Sequence, residues 1–344
     1  MKLMHVMAGA GAGGAENIFL EDVIALADAG IGQFVVTRAN NPFRLEQLRA
    51  RNIPVATTSF SSWWRIPTSR VLSRAVAEFD PDIAQYWMGR AGSYARRGRA
   101  KNVGWYGGYY DAKRFRNCDY HIGLTQDIVR HIVSQNIPES RTALIHTFAE
   151  FKPAAPLPRA ELNTPGGAPL LLALARLHWK KGLDVLLRAL AQNPSAWLWI
   201  AGDGPDRAKL ETLTDSLSLR ERVRFLGWRN DRERLLAACD ICVFPSRYEP
   251  FGTVMVDAWA AGRPLIAAAA QGPRAYVEDG VNGLLVPVDD VTAFSSAIAR
   301  AVADKDLRTR LAEGGRRTYE RRFTKVAFLR DSLAFYRRIL GESP

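Results

Sequence analysis

Short apolar runs alternate with amphipathic stretches along almost the whole chain, and a proline-rich segment near the middle interrupts that alternation once. Before the break, LMHVMA, GQFVVTR and DIAQYW read as buried strands. Between the first two lies AENIFLEDVIALADAG, a helix with Ile18, Leu20, Val23, Ile24 and Leu26 on one stripe and Gly30 placed to end it. Strand, helix, strand at this spacing is a βαβ unit, which requires a parallel sheet covered by helices. Residues 152–168 hold four prolines and two glycines, a composition that predicts a linker. After it the pattern restarts with PLLLALARL, GLDVLLRAL, AWLWIAG, VRFLG, DICVFP, RPLIAAA and GLLVP. The 344 residues therefore predict an α/β protein of two doubly wound domains, 1–151 and 169–325, followed by a basic amphipathic helix over 326–344. In open sheets of this kind, ligands bind outside the carboxyl ends of the strands.

Composition excludes several classes. With 47% apolar and 24% charged residues the chain is neither disordered nor a coiled coil. Its three cysteines cannot make a disulfide framework. Cys239 and Cys242 form a C-x-x-C, but no second Cys/His pair stands at metal spacing, and LLAACDICVFPS reads as a helix end feeding a buried strand. No metal site and a reducing compartment are expected. The start, MKLMHVMAGAGAGG, lacks the form of a signal peptide, and no apolar run reaches the roughly 20 residues needed to span a bilayer.

Three places carry chemistry on their own terms. Gly9, Gly11 and Gly14 fit a G-x-G-x-x-G between a first strand and a helix, the context of a dinucleotide fingerprint. The second strand ends in Arg38 rather than an acid, which suits a 2′-phosphate and leaves an NADP-dependent oxidoreductase as an alternative. Arg176 and Lys181 follow a buried strand, two cations spaced to converge on one diphosphate. Gly252 and Thr253 begin the helix TVMVDAWAAG, where free N–H groups and the helix dipole favour a phosphate.

RLHWKKG, GDGP, PSRYEPFG and AAGRP occur in that order, followed by GVNGLLV, and GGAE stands at the front. In these motifs the chain resembles the family 4 (group 1) retaining glycosyltransferases of the GT-B fold, over essentially everything after residue 168. The resemblance implies two Rossmann-like domains facing across a cleft, with the last helix packing back on the first domain. It also implies a nucleotide-sugar donor, UDP- or GDP-linked, as a substrate rather than a cofactor, and no bound metal. Arg176, Lys181 and Glu249 would be the catalytic group, Glu249 facing the hydroxyls of the donor sugar. Gly13, Gly14, Gly227, Trp228, Arg229, Phe251, Gly252, Thr253 and Asp257 would contact the donor, with the base read by the GWRN stretch. Glu16 completes the GGAE loop, on the acceptor side.

Two departures from the family pattern stand out. The second acid of Glu-x7-Glu is Asp257, one methylene shorter and expected on the ribose, directly or through water. The family's N-terminal histidine aligns with Gly107, in VGWYGGYYDAKRF. Tyr109 or Asp111 are candidates to stand in for it, and His146 to line the cleft, whereas His121 and His131 read as structural. A catalytically impaired nucleotide-sugar-binding relative is the alternative that this loss raises. The family's favoured chemistry has the departing diphosphate take the acceptor's proton on the same face, so it needs positioned positive charge more than a strong base.

The net charge of +12 is unevenly spread. Between residues 51 and 116 there are twelve Lys and Arg against Glu78, Asp80, Asp82 and Asp111, a surplus of eight. Trp63 and Trp64 adjoin Arg65 in the same stretch. Tryptophans beside cations suit a membrane interface. The expected partner is therefore an anionic glycan or glycolipid acceptor at the cytoplasmic face of the inner membrane, as in lipopolysaccharide or exopolysaccharide assembly. No nucleic-acid motif accompanies the basic residues, and nucleic acid is not an expected partner.

Overall fold

The run KLMHVM forms β1 (Lys2–Met7) with five of its six side chains buried, and the first sheet grows outward from it. The computed structural model describes residues 1–11, 13–61 and 63–342. It divides into two units, Met1–Phe148 with Lys325–Pro344, and Ala149–Thr324.

The first unit adds β2 (Gly32–Thr37), β3 (Val55–Thr57), β4 (Ile83–Trp87), β5 (Lys101–Tyr106), β6 (Tyr120–Gly123) and β7 (Thr142–Leu144) in the order β3-β2-β1-β4-β5-β6-β7. The pairs are parallel, His5 lying opposite Val35 on one side and Gln85 on the other. Helices over both faces explain why these strands read as continuous apolar runs rather than alternating ones. The order reverses between β1 and β4, so loops leaving those two strands diverge and open a binding crevice.

The helix Lys325–Leu340 belongs to this unit and buries Ala327, Phe328, Ser332, Phe335, Tyr336 and Ile339. Tyr336 Oη donates to Gln85 Oε1 at 2.7 Å, Phe328 packs on Phe148, and Lys325 pairs with Asp28 at 3.0 Å. Beneath the helix, Asp22 accepts from Thr147 at 3.2 Å, and burial pushes its carboxyl well above the ordinary carboxylate range. Burial lowers His5 and His121 to about 4, so both imidazoles are neutral and structural. His131 Nε2 bonds the carbonyl of Tyr110 at 3.1 Å, also within the packing.

The second unit holds β8 (Leu170–Leu174), β9 (Trp197–Ala201), β10 (Val223–Gly227), β11 (Ile241–Phe244), β12 (Leu265–Ala268) and β13 (Leu284–Val286). Its order is β10-β9-β8-β11-β12-β13, again parallel, with the reversal between β8 and β11.

The segment 152–168, expected as a linker, does not run free of the second unit. The prolines do prevent a regular helix, yet a 3-10 turn forms at Arg159–Leu162 and the segment is tied into the second unit. Leu157 is buried and its N–H bonds Arg234 O at 3.1 Å. Arg159 donates to Ala238 O and Ala168 O, both at 2.8 Å, and pairs with Asp240 at 3.0 Å. Composition reported how the backbone bends; it carried no trace of these side-chain ties.

Cys118, Cys239 and Cys242 are buried free thiols, and burial pushes Cys239 up to about 12. Among the described residues no helix is long and apolar enough to cross a membrane, and no group of His, Cys, Asp and Glu is arranged to hold a metal ion.

Candidate active site

The loops leaving β8 and β11 flank the reversal point of the second sheet, and both carry sequence-predicted residues. After β8 the chain passes exposed Arg176 and enters the 3-10 turn Trp179–Lys181, capped by the side chain of His178. Gly182 follows in the left-handed region at φ 62°, where a Cβ would run into the carbonyl oxygen of Pro245. Only glycine lets the two loops lie this close. They are then bonded together: Lys180 O accepts from the N–H groups of Arg247 at 2.8 Å and Tyr248 at 3.3 Å.

Arg247 locks the junction. Its guanidinium grips both oxygens of Asp184 at 2.7 Å, bonds Trp179 O at 2.7 Å and reaches Asp289 at 2.5 Å. The bonds to Asp184 lead in raising the arginine's pKa. Burial pushes the Asp184 carboxyl up, but the Arg247 contacts outweigh it and hold that group below its usual range. Sequence reasoning passed over Arg247 as a variable position of PSRYEPFG. An arginine beside an expected catalytic acid, with Asp184 downstream in the first turn of a helix, was the available signal.

This lock brings Lys181 Nζ to 2.5 Å from Glu249 Oε2, with both side chains largely buried. Arg176 behaves differently, since its side chain makes no hydrogen bond or ion pair with a described residue. Glu249 O accepts from Gly272 N at 2.8 Å, which fixes the loop's far side. Phe251, expected at the donor, is instead a core residue: its ring is 3% exposed and packs edge-on against Tyr276 and Phe323. The aromatic ring anchors the loop from beneath, and that placement corrects the donor assignment of its side chain.

Gly252 then caps the helix Thr253–Ala260, with Thr253 exposed at its start. Asp257, four residues on, shares a helix face with Thr253. It is buried, lies 3.5 Å from Arg232, and is raised to about 6. Desolvation is the main cause, with Arg232 opposing it and Glu233 adding to it. On the neighbouring strand end, Gly227 O accepts from Gly202 N at 2.8 Å. Trp228 is 70% exposed, its indole N–H on Asn230, while Asp231 occupies the fork of Arg229 at 2.6 and 2.8 Å.

In the first unit, the glycine loop after β1 is closed from inside. Glu16 Oε1 accepts from Ala10 N at 2.7 Å, and a Cβ on Gly9 or Gly13 would overlap its side chain. The buried Arg44 guanidinium donates to Ala10 O at 3.1 Å and Gly11 O at 3.4 Å. Asn40 and Asn41 take Gly9 O and Gly11 O at 3.3 and 2.5 Å. A carboxylate thus fills the space that the dinucleotide reading reserved for a pyrophosphate, and like charge excludes that reading. The same contacts correct Glu16 from an acceptor residue to an internal brace. Arg44 was missed because buried arginine is rare and nothing in NNPFR marks it; Asn41, ahead of Pro42, was the one legible sign of a helix cap.

No side chain fits at Gly107, where a Cβ would overlap the indole of Trp105, itself buried against Trp87 with ring centroids 4.7 Å apart. The expected stand-ins are otherwise engaged. Tyr109 Oη donates to Asp127, and Asp111 caps the turn Ala112–Phe115 through Lys113 N at 2.8 Å. His146 is half-buried just past β7. Restoring the family residue by Gly107→His is therefore expected to cost about 1–3 kcal/mol through overpacking. Thermal unfolding should show a lowered Tm with no gain in turnover.

Gly13, Gly14, Gly227, Gly252 and Thr253 lie at strand-end loops or helix starts, the carbonyls of Gly13, Gly227 and Gly252 already accepting from Asn17, Gly202 and Met255 N–H groups. The family described as glycosyl transferases group 1 matches residues 156–318. The chain is 33% identical to the lipopolysaccharide core biosynthesis glycosyltransferase LpsE of Rhizobium meliloti (strain 1021), over 95% of this chain and 96% of that protein. Among solved structures, a glycosyltransferase from Rickettsia africae ESF-5 superposes with a TM-score of 0.87 at 18% identity, covering 99% of both chains. Anabaena Alr3699/HepE in complex with UDP-glucose gives 0.83 at 22% identity, over 97% of this chain and 99% of that one. Two parallel α/β units with their binding loops at the sheet reversals, joined to a full-length relative at this identity, place the chain among the group 1 glycosyltransferases.

Proposed function

We propose that this glycosyltransferase moves a sugar from a nucleotide-sugar donor, with retention at the anomeric carbon, to an anionic glycan or glycolipid of the lipopolysaccharide core. The observation that carries the donor assignment is Lys181 Nζ held 2.5 Å from Glu249 at the β8/β11 reversal. A fixed cation there is placed for the diphosphate, beside a carboxylate suited to vicinal hydroxyls of the sugar. Exposed Arg176 is free to swing onto the same phosphates. Asp257 would accept from the ribose and the backbone of Gly227–Trp228 would face the base. The UDP-glucose held by the Anabaena structure supports a uridine donor ahead of a guanosine one. The name of the Rhizobium relative supports a lipopolysaccharide core acceptor. We further propose that the enzyme meets it from the cytoplasm, at the surface of the inner membrane.

The departing diphosphate would take the acceptor's proton on the face it leaves. The side chains at hand suit this, because they supply positive charge and position rather than a free general base. No metal is assigned a step. One observation favours a second reading, a donor-binding relative that does not turn over: Trp105 closes the position of the family's histidine.

A thermal-shift screen over UDP-, GDP- and ADP-sugars, followed by NMR of the product's anomeric proton, tests both. Stabilisation by one UDP-sugar and an axial product from an axial donor is the expected result. Stabilisation without transfer or donor hydrolysis would favour the second reading, and an inverted product would remove the retaining mechanism.

A further inference from the structure

Trp63 is 98% exposed, Trp64 66% and Ile66 55%, an unusual display for side chains of this size. Ser61 and Trp64, on either side of Trp63, are held by hydrogen bonds. Ser61 Oγ accepts from Trp64 N at 3.1 Å, and Tyr94 Oη donates to Ser61 O at 2.6 Å. Arg65 stacks on the Tyr94 ring at 4.2 Å and donates to Ser93 O. The aromatic pair therefore stands out on a braced support, at the start of the helix Ile66–Phe79.

The charge beside it is equally unbalanced. Arg74 pairs with Glu78 and Arg99 with Asp80. Arg70, Arg90, Arg96 and Arg97 are exposed and none is in an ion pair with a described residue. Arg70 is one helical turn from Ile66. Arg90 O accepts from Ser93 Oγ at 2.8 Å, and Arg96 and Arg97 come two and three residues after Tyr94. Uncompensated cations thus stand within a few residues of both supports of the turn, the helix start at Ile66 and the Ser93–Tyr94 pair.

We infer that the Trp63–Trp64 turn is a membrane anchor, its indoles and Ile66 entering the headgroup and upper acyl region of a bilayer while the four arginines engage anionic phospholipid. Tryptophan favours that depth because its ring is apolar and its N–H still finds a partner. Apolar insertion and basic attraction together give the two signals that stable but reversible attachment needs. Anionic lipid fits better than a soluble acidic glycan, which would call for a concave polar surface rather than projecting indoles. This rests on the membrane-surface part of the proposed function and is independent of donor identity.

The test sediments the full chain with phosphatidylcholine vesicles, with and without phosphatidylglycerol, and measures quenching of tryptophan by bromine on the lipid acyl chains. Wild type is expected to bind the anionic vesicles and be quenched. Trp63→Ser/Trp64→Ser should lose binding about tenfold and most of the quenching, and Arg96→Glu/Arg97→Glu should lose binding comparably. Both variants should keep the thermal shift produced by UDP, showing an intact fold. Equal binding to neutral vesicles, full binding by the tryptophan variant, or a wild-type dimer that this variant dissolves would overturn the anchor. Loss of the UDP shift in wild type would instead strike the donor assignment alone.

Discussion

Lys181→Ala is expected to lower kcat/KM for the donor by about 10²–10³-fold and to weaken UDP binding in the absence of acceptor. The size follows from the 2.5 Å ion pair with Glu249. Removing the ammonium takes a cation away from the diphosphate and also leaves a largely buried carboxylate uncompensated beside it, so the phosphates meet repulsion where they met attraction. Glu249→Gln should act with the opposite sign on UDP alone. It releases the ammonium for the phosphates, so UDP affinity holds or improves while sugar transfer falls. Calorimetric titration with UDP and steady-state kinetics with the full donor separate these effects. Unchanged UDP affinity in Lys181→Ala would remove the diphosphate role. Parallel loss of UDP affinity in both variants would mean that the pair acts only as a brace for the two loops.

Much of this architecture was legible because parallel α/β folding depends on local pattern. Apolar runs bounded by polar turns specify strands, and the stripe from Ile18 to Leu26 specifies a helix, whatever lies elsewhere in the chain. The glycines were legible where backbone geometry allows nothing else, as at Gly182. What stayed hidden depends on partners distant in sequence. Arg44 bonds carbonyls more than 30 residues away, Arg247 joins three separate loops, and Arg159 ties the proline-rich segment to residues almost 80 positions on. No periodicity encodes such a contact, because it is decided by where the sheet order puts strand ends. Glu16 shows the same limit from the other side. Its place in GGAE suggested a ligand, whereas only three-dimensional packing reveals its carboxylate turned onto Ala10. At Gly107, where the resemblance leads one to expect a histidine, the indole of Trp105 fills the space, a rotamer-dependent contact that residue types alone do not disclose.

Asp257 should make donor binding and stability respond to pH in opposite directions. Burial holds its folded-state pKa at about 6, against 3.8 for a solvent-exposed aspartate in the unfolded chain. An acid raised in this way favours the fold when protonated. Its contribution is fully present below pH 4 and is lost as pH rises through 6, by about 3 kcal/mol for a shift of roughly two units. Donor binding works the other way. Ribose hydroxyls donate more strongly to an ionised carboxylate than to a neutral acid, so affinity for UDP should rise with pH up to about 6 and then level off. Below that point it should fall by up to about tenfold per pH unit. Asp257→Asn keeps the shape and an acceptor oxygen but cannot titrate. It should flatten both profiles, raising Tm near pH 7 and leaving UDP binding weaker than wild type there. Titrations of UDP at several pH values, run beside thermal melts, read the two effects separately. If Asn removes the slope in stability while the UDP profile stays as in wild type, the carboxyl serves only its pairing with Arg232, 3.5 Å away, and the ribose is held by other groups.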